Sequence, residues 1–174
     1  QVMGGAHQLW LYDFDGHPID PVLRSKQTDF LIAIQQFSGH FGLEGPDDNW
    51  SDDCTDVDCM TLLSFNYHQQ DYRRVEIFNA LQRAGIAVLR DKRGADGLLR
   101  SQLNMAYAHH AYSTDTYSPA GAPNILQQSF YLWAVVSACS VVRESSDPAF
   151  NSFCRQPWRA PPSHWLWVGG LCNK

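Results

Sequence analysis

The sequence predicts an α+β fold, in which about four helices pack on a small mixed or antiparallel sheet and disulfide bonds stabilise the structure. Three observations lead to this fold class. Segments with the apolar spacing of helices alternate with short runs of β-branched and aromatic residues. The 174 residues are the length of one domain, and no linker or internal repeat divides residues 1–174. Five cysteines stand mostly in polar, turn-rich stretches.

The first elements are a predicted hairpin and a predicted helix. Residues 8–14 have the composition of a strand, and Asp15-Gly16 suits a tight two-residue turn. Pro18 and Pro21 then confine the returning strand to a sheet edge, because proline cannot donate to the ladder. A helix is expected from residue 28 to the glycine at position 39. Its apolar face is formed by Phe30, Ile34 and Phe37.

The middle of the chain predicts two strands and two helices. Residues 60–68 are β-branched and aromatic, which favours a strand. A helix should follow from residue 71 and end at Gly85, with residues 86–89 forming the next strand. Apolar residues at helical spacing predict a further helix over residues 99–110.

The last third contains a predicted buried helix over residues 125–142 and a short strand within residues 163–170. The longest apolar run, residues 130–142, is too short to cross a bilayer, which needs about twenty residues. We therefore expect no membrane span.

The cysteines predict an extracytoplasmic protein, secreted or periplasmic, because disulfide bonds persist in oxidising compartments. We expect the pairs Cys54–Cys59 and Cys154–Cys172. Cys139 lies inside the apolar run and is expected to stay a small buried thiol.

An acidic segment over residues 47–59 is a candidate calcium site, and no other cofactor is expected. Its oxygen ligands would come from Asp47, Asn49, Asp52, Asp53, Asp56 and Asp58. An EF-hand is excluded, because the register lacks the glycine and the final glutamate that such a loop needs. The alternative is a solvated acidic loop held by a disulfide bond.

Two sets of residues could support hydrolysis. Cys54, in "DDCT", and His164, in "HWLWVGG", could act as nucleophile and base, and over these few residues their order resembles that of papain-like cell-wall amidases and peptidases. The sequence departs from that pattern, since a second cysteine and several aspartates surround Cys54. A carboxylate pair near His109 and His110 could instead serve a glycosidase.

Aromatic residues in the C-terminal half predict a binding surface, since flat rings stack on sugars or bury the apolar groups of a protein. These residues are Tyr112, Tyr117, Trp158, Trp165 and Trp167. The net charge of −5 argues against a nucleic-acid partner. The leading prediction is an interaction protein that recognises a protein or a glycan at the cell surface. The alternatives are a cell-envelope hydrolase and a subunit of an extracellular assembly, so an oligomer is also considered.

Overall fold

The computed structural model describes residues 17–42, 53–99, 107–109, 116–118 and 125–156, together with Gln8 and Tyr12. For residues 53–54, 107–109, 116–118 and 125–130 only the backbone is described. The helices are α1 (Pro21–Ala33), α2 (Asp53–Gln69), α3 (Arg74–Asp91), α4 (Ile125–Val141) and α5 (Pro148–Cys154). Two short strands, β1 (Tyr107–His109) and β2 (Thr116–Ser118), pair antiparallel.

The predicted α+β fold class is wrong, because the described part of the chain is a helical assembly. Its five helices pack on one another. The strands β1 and β2 have three residues each, and the described residues contain no sheet that could serve as a layer beneath the helices.

Helix α2 is the centre of this assembly and packs against α1, α3 and α4. All of its residues from position 56 to position 66 are buried. The strand predicted over residues 60–68 is therefore wrong. A helix that is buried on every side shows no alternation of apolar and polar faces, so its sequence lacks the helical period.

Helix α1 begins earlier than the sequence predicts. The Oδ1 atom of Asp20 accepts a hydrogen bond from the Val22 N–H at 2.8 Å, and Pro21 occupies the first helical position, where its missing N–H costs nothing. Pro21 thus starts a helix instead of lying in an edge strand. Thr28 is buried in mid-helix, and its hydroxyl donates to the Arg24 carbonyl at 3.1 Å. The strand predicted over residues 8–14 is also wrong at Gln8 and Tyr12, where the backbone is helical.

Helix α3 does not end at Gly85, as predicted, but continues to Asp91. Gly85 is instead the place where α5 approaches closely. A Cβ atom at Gly85 would lie 2.3 Å from Cε2 of Phe150, whose side chain is fully buried. The glycine therefore makes room for a neighbouring ring, and the strand predicted over residues 86–89 is helical.

The chain uses the same turn twice, once after α1 and once after α3, although no internal repeat is visible in the sequence. Each turn is closed by an isolated antiparallel bridge, Gln35 with Phe41 and Arg93 with Leu99, and the two bridges have the same offset along the chain. Gly39 and Gly97 occupy equivalent positions at φ +102° and φ +83°, where residues with a side chain are strained. The N–H groups of Gly39 and Gly97 donate to the carbonyls of Gln36 and Gly94 at 3.0 and 2.9 Å.

Helix α4 is confirmed close to its predicted bounds. Its buried residues include Tyr131, Ala134, Val135 and Ala138, which pack against α2 and α3. No helix in the described part of the chain combines the length and apolar character that a membrane span needs.

The prediction of a disulfide bond is confirmed, but with different partners. Cys139 and Cys154 are bonded, with their Cα atoms 5.2 Å apart, and the bond joins α4 to α5. Cys59 is a free, buried thiol on α2. The pairs Cys54–Cys59 and Cys154–Cys172 are therefore wrong, and Cys139 is not a free thiol. Because residues 53–59 are helical, they do not form the disulfide-closed loop that the sequence suggested.

Candidate functional site

Most of the residues predicted as a site lie outside the described part of the chain. The backbone of Cys54 is in the first turn of α2, that of His109 is in β1 and that of Tyr117 is in β2, opposite Ala108. The prediction that His109 lies on a helix is therefore wrong. The residues outside the described ranges are Asp47, Asn49, Asp52, His110, Tyr112, Trp158, His164, Trp165 and Trp167. Their roles stay predictions.

The described members of the proposed calcium set belong to α2. Asp53 is its first residue, while Asp56 and Asp58 are buried further along. Both carboxylate oxygens of Asp56 already accept hydrogen bonds within the protein. Among the described residues, no group of three or more His, Cys, Asp or Glu side chains is arranged to hold a metal ion. Calcium stays a prediction for the segment before α2.

A carboxylate–histidine cluster is formed by the buried His40 and Asp56 and the partly exposed Asp91. The Nδ1 atom of His40 lies 2.6 Å from Oδ2 of Asp56, and its Nε2 atom lies 3.1 Å from Oδ2 of Asp91. The other oxygen of Asp56 accepts the backbone N–H of Phe41 at 2.7 Å. The cluster therefore joins the turn after α1 to α2 and to the end of α3.

The electrostatics of this cluster favour a charged imidazolium. Burial and the nearby charge of Lys92 lower the pKa of His40, but the hydrogen bonds with Asp56 and Asp91 and the charge of Asp56 outweigh them, and the net pKa is raised. Burial raises the pKa of Asp91, yet the hydrogen bonds from Arg90 and His40 lower it below the ordinary value. With both ring nitrogens in contact with carboxylates, His40 has no free nitrogen to act as a general base. We assign the cluster a structural role.

Cys59, which is next to this cluster, is not an activated nucleophile. Burial raises the pKa of its thiol far above the ordinary value, and the charges of Asp56 and Asp58 raise it further. A reactive cysteine needs the opposite surroundings, namely exposure and nearby positive charge.

An open cleft lies where the end of α2, the start of α3 and the end of α4 meet, and we call it the α4 cleft. It encloses about 570 Å³, within the range of ligand-binding pockets. It is lined by Tyr67, His68, Phe78, Ser140, Val141, Arg143 and Glu144. Aromatic, hydroxyl and charged side chains are thus brought together from three helices.

The aromatic wall of the cleft is supported by Arg74. The Nε atom of Arg74 donates to the carbonyls of Tyr67 and Gln70, each at 3.2 Å, and so satisfies groups that have no partner at the end of α2. Its guanidinium carbon lies 5.0 Å from the centroid of the Tyr67 ring, within the range of a cation–π contact. The Arg74 guanidinium therefore packs against the Tyr67 ring.

The polar wall of the cleft contains a contact between His68 and Ser140. The His68 Nε2 and Ser140 Oγ atoms are 3.3 Å apart, and the Ser140 hydroxyl donates to the Ser137 carbonyl at 2.6 Å. Burial lowers the pKa of His68, and the charges of Arg74 and Arg143 lower it further. His68 is consequently neutral at neutral pH, with its Nε2 atom in contact with the serine oxygen.

This contact does not have the arrangement of a catalytic serine and its base. A nucleophilic serine donates its proton to the histidine, whereas the Ser140 proton points to a helix carbonyl. Within the described residues, no carboxylate contacts the second nitrogen of His68. Ser140 also lies at the carbonyl end of α4, which disfavours the negative charge that develops in acyl transfer. The geometry supports binding.

The residues of the α4 cleft were not found from the sequence as a group. Neither His68 nor Glu144 is among the candidate site residues predicted from the sequence. Tyr67 and Ser140 come from helices distant in the chain, so no local motif links them. His40 and Asp91 were missed for the same reason, and Asp56 was predicted only as a calcium ligand.

Comparisons of this chain with protein-family models, with curated proteins and with solved structures find no match. Its function therefore has to be argued from the geometry of its own residues.

Proposed function

We propose that this protein is an extracytoplasmic interaction protein that recognises a protein or a glycan, and that the α4 cleft is part of its recognition surface. The observation that carries the proposal is the cleft itself, in which aromatic, hydroxyl and charged side chains line one open space. Such a lining offers an apolar face for stacking and polar groups for hydrogen bonds.

The disulfide bond supports both the location and the role. Cys139 directly precedes Ser140, so the bond to α5 restrains the segment that supplies one wall of the cleft. A restrained wall loses less conformational freedom when a ligand binds, which favours affinity. Disulfide bonds form and persist mainly outside the reducing cytosol, which supports a secreted or periplasmic location.

The test is a binding screen of the oxidised full chain against arrays of glycans and of peptides. Arg143→Ala removes an exposed charge at the cleft, and Arg155→Ala removes an exposed charge elsewhere, so the second variant is a matched control. We expect Arg143→Ala to weaken binding by about tenfold or more, the usual effect of losing a charged hydrogen bond. Absence of binding on both arrays, or an equal loss in both variants, would contradict the proposal.

A subunit of an extracellular assembly is a second candidate, because apolar side chains are exposed on α1 and the following turn. Leu23 and Phe30 are about half exposed, and Phe37 is fully exposed. Exposed apolar groups of this kind are often buried between copies of a chain. Light scattering during size-exclusion chromatography tests this candidate. A monomer at all concentrations, unchanged by Phe37→Ser, would exclude it.

A further inference from the structure

The side chains that line the α4 cleft favour one class of ligand among the proteins and glycans considered above. This inference rests on the proposed function. Arg143 is exposed at the cleft and forms no ion pair with another described residue. His68, beside it in the lining, is in its neutral form. A neutral imidazole adds no charge of its own, so among the described residues that line the cleft the guanidinium of Arg143 is the cation that an incoming ligand meets.

A second arginine, which is not part of the cleft lining, adds to the positive potential near it. Arg74 packs against the Tyr67 ring, and its charge acts on His68 together with that of Arg143. Its partner Asp71, at 3.2 Å, is almost fully exposed, so water screens that pair strongly. Glu144 at the rim is the opposing charge.

We propose that the ligand of the α4 cleft is a glycan in which a sugar ring carries a carboxylate, with the carboxylate at Arg143 and the ring against Tyr67 and Phe78. A single acidic side chain of a protein would occupy the charged end and leave the aromatic wall uncovered. A sugar ring with a carboxylate offers an apolar face to the aromatic side chains and an anionic group to Arg143. Guanidinium groups bind carboxylates through two parallel hydrogen bonds, which orients the ring.

Binding should also change the protonation of His68. A carboxylate placed beside the ring favours the imidazolium, so the pKa of His68 should rise when the acidic ligand binds. By linkage, binding should strengthen as pH falls through the titration range of His68. A neutral sugar supplies no charge and should leave the His68 titration unchanged.

The experiment measures calorimetric binding of three probes to the oxidised full chain: a glucuronate-containing oligosaccharide, the same oligosaccharide with its carboxylates reduced to alcohols, and a short polyglutamate peptide. We expect the first to bind at least about tenfold more tightly than the others. Arg143→Ala should remove that preference, Glu144→Gln should keep or increase it, and Arg155→Ala should leave it unchanged. NMR titration of His68 should show the pKa rise with the acidic sugar alone.

The outcomes separate this inference from the proposed function. Equal binding of the acidic and reduced sugars, or binding of the peptide alone, would overturn the acidic-glycan inference. If Arg143→Ala weakened that binding, recognition by the cleft would still be supported. Absence of binding of all three probes would overturn the inference, and absence of any ligand on the broader arrays would overturn the proposed function as well.

Discussion

At the scale of single residues, His40 contacts two carboxylates that differ in burial. The side chain of Asp56 is 1% exposed, whereas that of Asp91 is 37% exposed. Asp56 also accepts the N–H of Phe41, so it satisfies two buried donors. Water can replace Asp91 as a hydrogen-bond partner but cannot reach the position of Asp56.

The first prediction compares Asp56→Ala with Asp91→Ala. Removing Asp56 leaves Nδ1 of His40 and the Phe41 N–H without a partner in the interior, and breaking a buried pair in this way costs about 3–5 kcal/mol. Removing the half-exposed Asp91 should cost about 1 kcal/mol or less. Urea denaturation of both variants measures the difference. Equal losses would contradict the structural role assigned to Asp56.

The second prediction concerns pH. Because folding raises the pKa of His40, the stabilisation is fully present below the pKa of the unfolded chain, about 6.5. It should be lost progressively as pH rises through the higher pKa of the folded state. The opposite pH dependence is expected for His68, because folding lowers its pKa. The free energy of unfolding should therefore fall as pH falls below about 6.5, the pKa of histidine in the unfolded chain.

Urea denaturation at a series of pH values checks these two effects separately. His40→Gln should abolish the decline in the free energy of unfolding above pH ~6.5 and should leave the decline below it. His68→Gln should abolish the decline below pH ~6.5 and leave the decline above it, so it serves as the matched control. A wild-type stability that does not change above that pH would show that His40 is not a charged partner of Asp56.

At the scale of elements, the two equivalent turns offer a controlled comparison for the third prediction. Alanine at Gly39 or Gly97 should cost about 1–2 kcal/mol in either turn, because both residues have positive φ. At Gly39 the new Cβ would also lie 2.8 Å from the Arg83 carbonyl oxygen, whereas at Gly97 the nearest atom is a flexible arginine nitrogen at 3.5 Å. Crowding of this kind adds about 1 kcal/mol or more.

Thermal and urea unfolding of Gly39→Ala and Gly97→Ala measure the two costs. The difference between the two losses of stability measures the cost of crowding at Gly39, because the backbone strain is common to both variants. A larger loss for Gly97→Ala would mean that the close approach of the first turn to α3 is misplaced.

Helix α4 could be predicted from the sequence, but the central helix α2 could not. The predicted and observed bounds of α4 agree because a long apolar run has few alternatives. In α2 all eleven residues from 56 to 66 are buried, including Asp56, Asp58 and Asn66. Because polar residues are buried together with apolar ones, the order of polar and apolar residues does not reveal the helix. Asp56 looked solvated because its partner, His40, comes from a distant turn. Gly85 looked like a helix end because its neighbour Phe150 belongs to α5.

The residues of the α4 cleft could not be predicted from the sequence. None of the aromatic residues predicted to bind a ligand is among its described lining residues, and the cleft residues of α2 and α4 are brought together by packing of the two helices. That packing depends on long-range contacts, such as that of His68 with Ser140, which a local pattern does not contain.

At the scale of the whole molecule, the disulfide bond closes a short loop between α4 and α5, and this is the basis of the fourth prediction. Cys139 and Cys154 are 15 residues apart, and a bond across a loop of this size stabilises a fold by about 3 kcal/mol. The double variant Cys139→Ser/Cys154→Ser should lose that amount in urea denaturation. Unchanged stability of the double variant would show that the bond does not restrain the unfolded chain.

Thiol labelling of the wild-type protein provides an independent measurement. Cys59 is free but fully buried, so it should react only after unfolding, while Cys139 and Cys154 should react only after reduction. Labelling of Cys139 or Cys154 in the native, unreduced protein would contradict the disulfide bond.

The bond between α4 and α5 also has a mechanical consequence. Tension applied through the chain beyond Cys154 passes directly into Cys139, and so into the helix that packs on α2. The residues between the two cysteines carry none of that load. A molecule held at a surface and pulled from that side would transmit the force to its most deeply packed helices before any terminal helix could peel away.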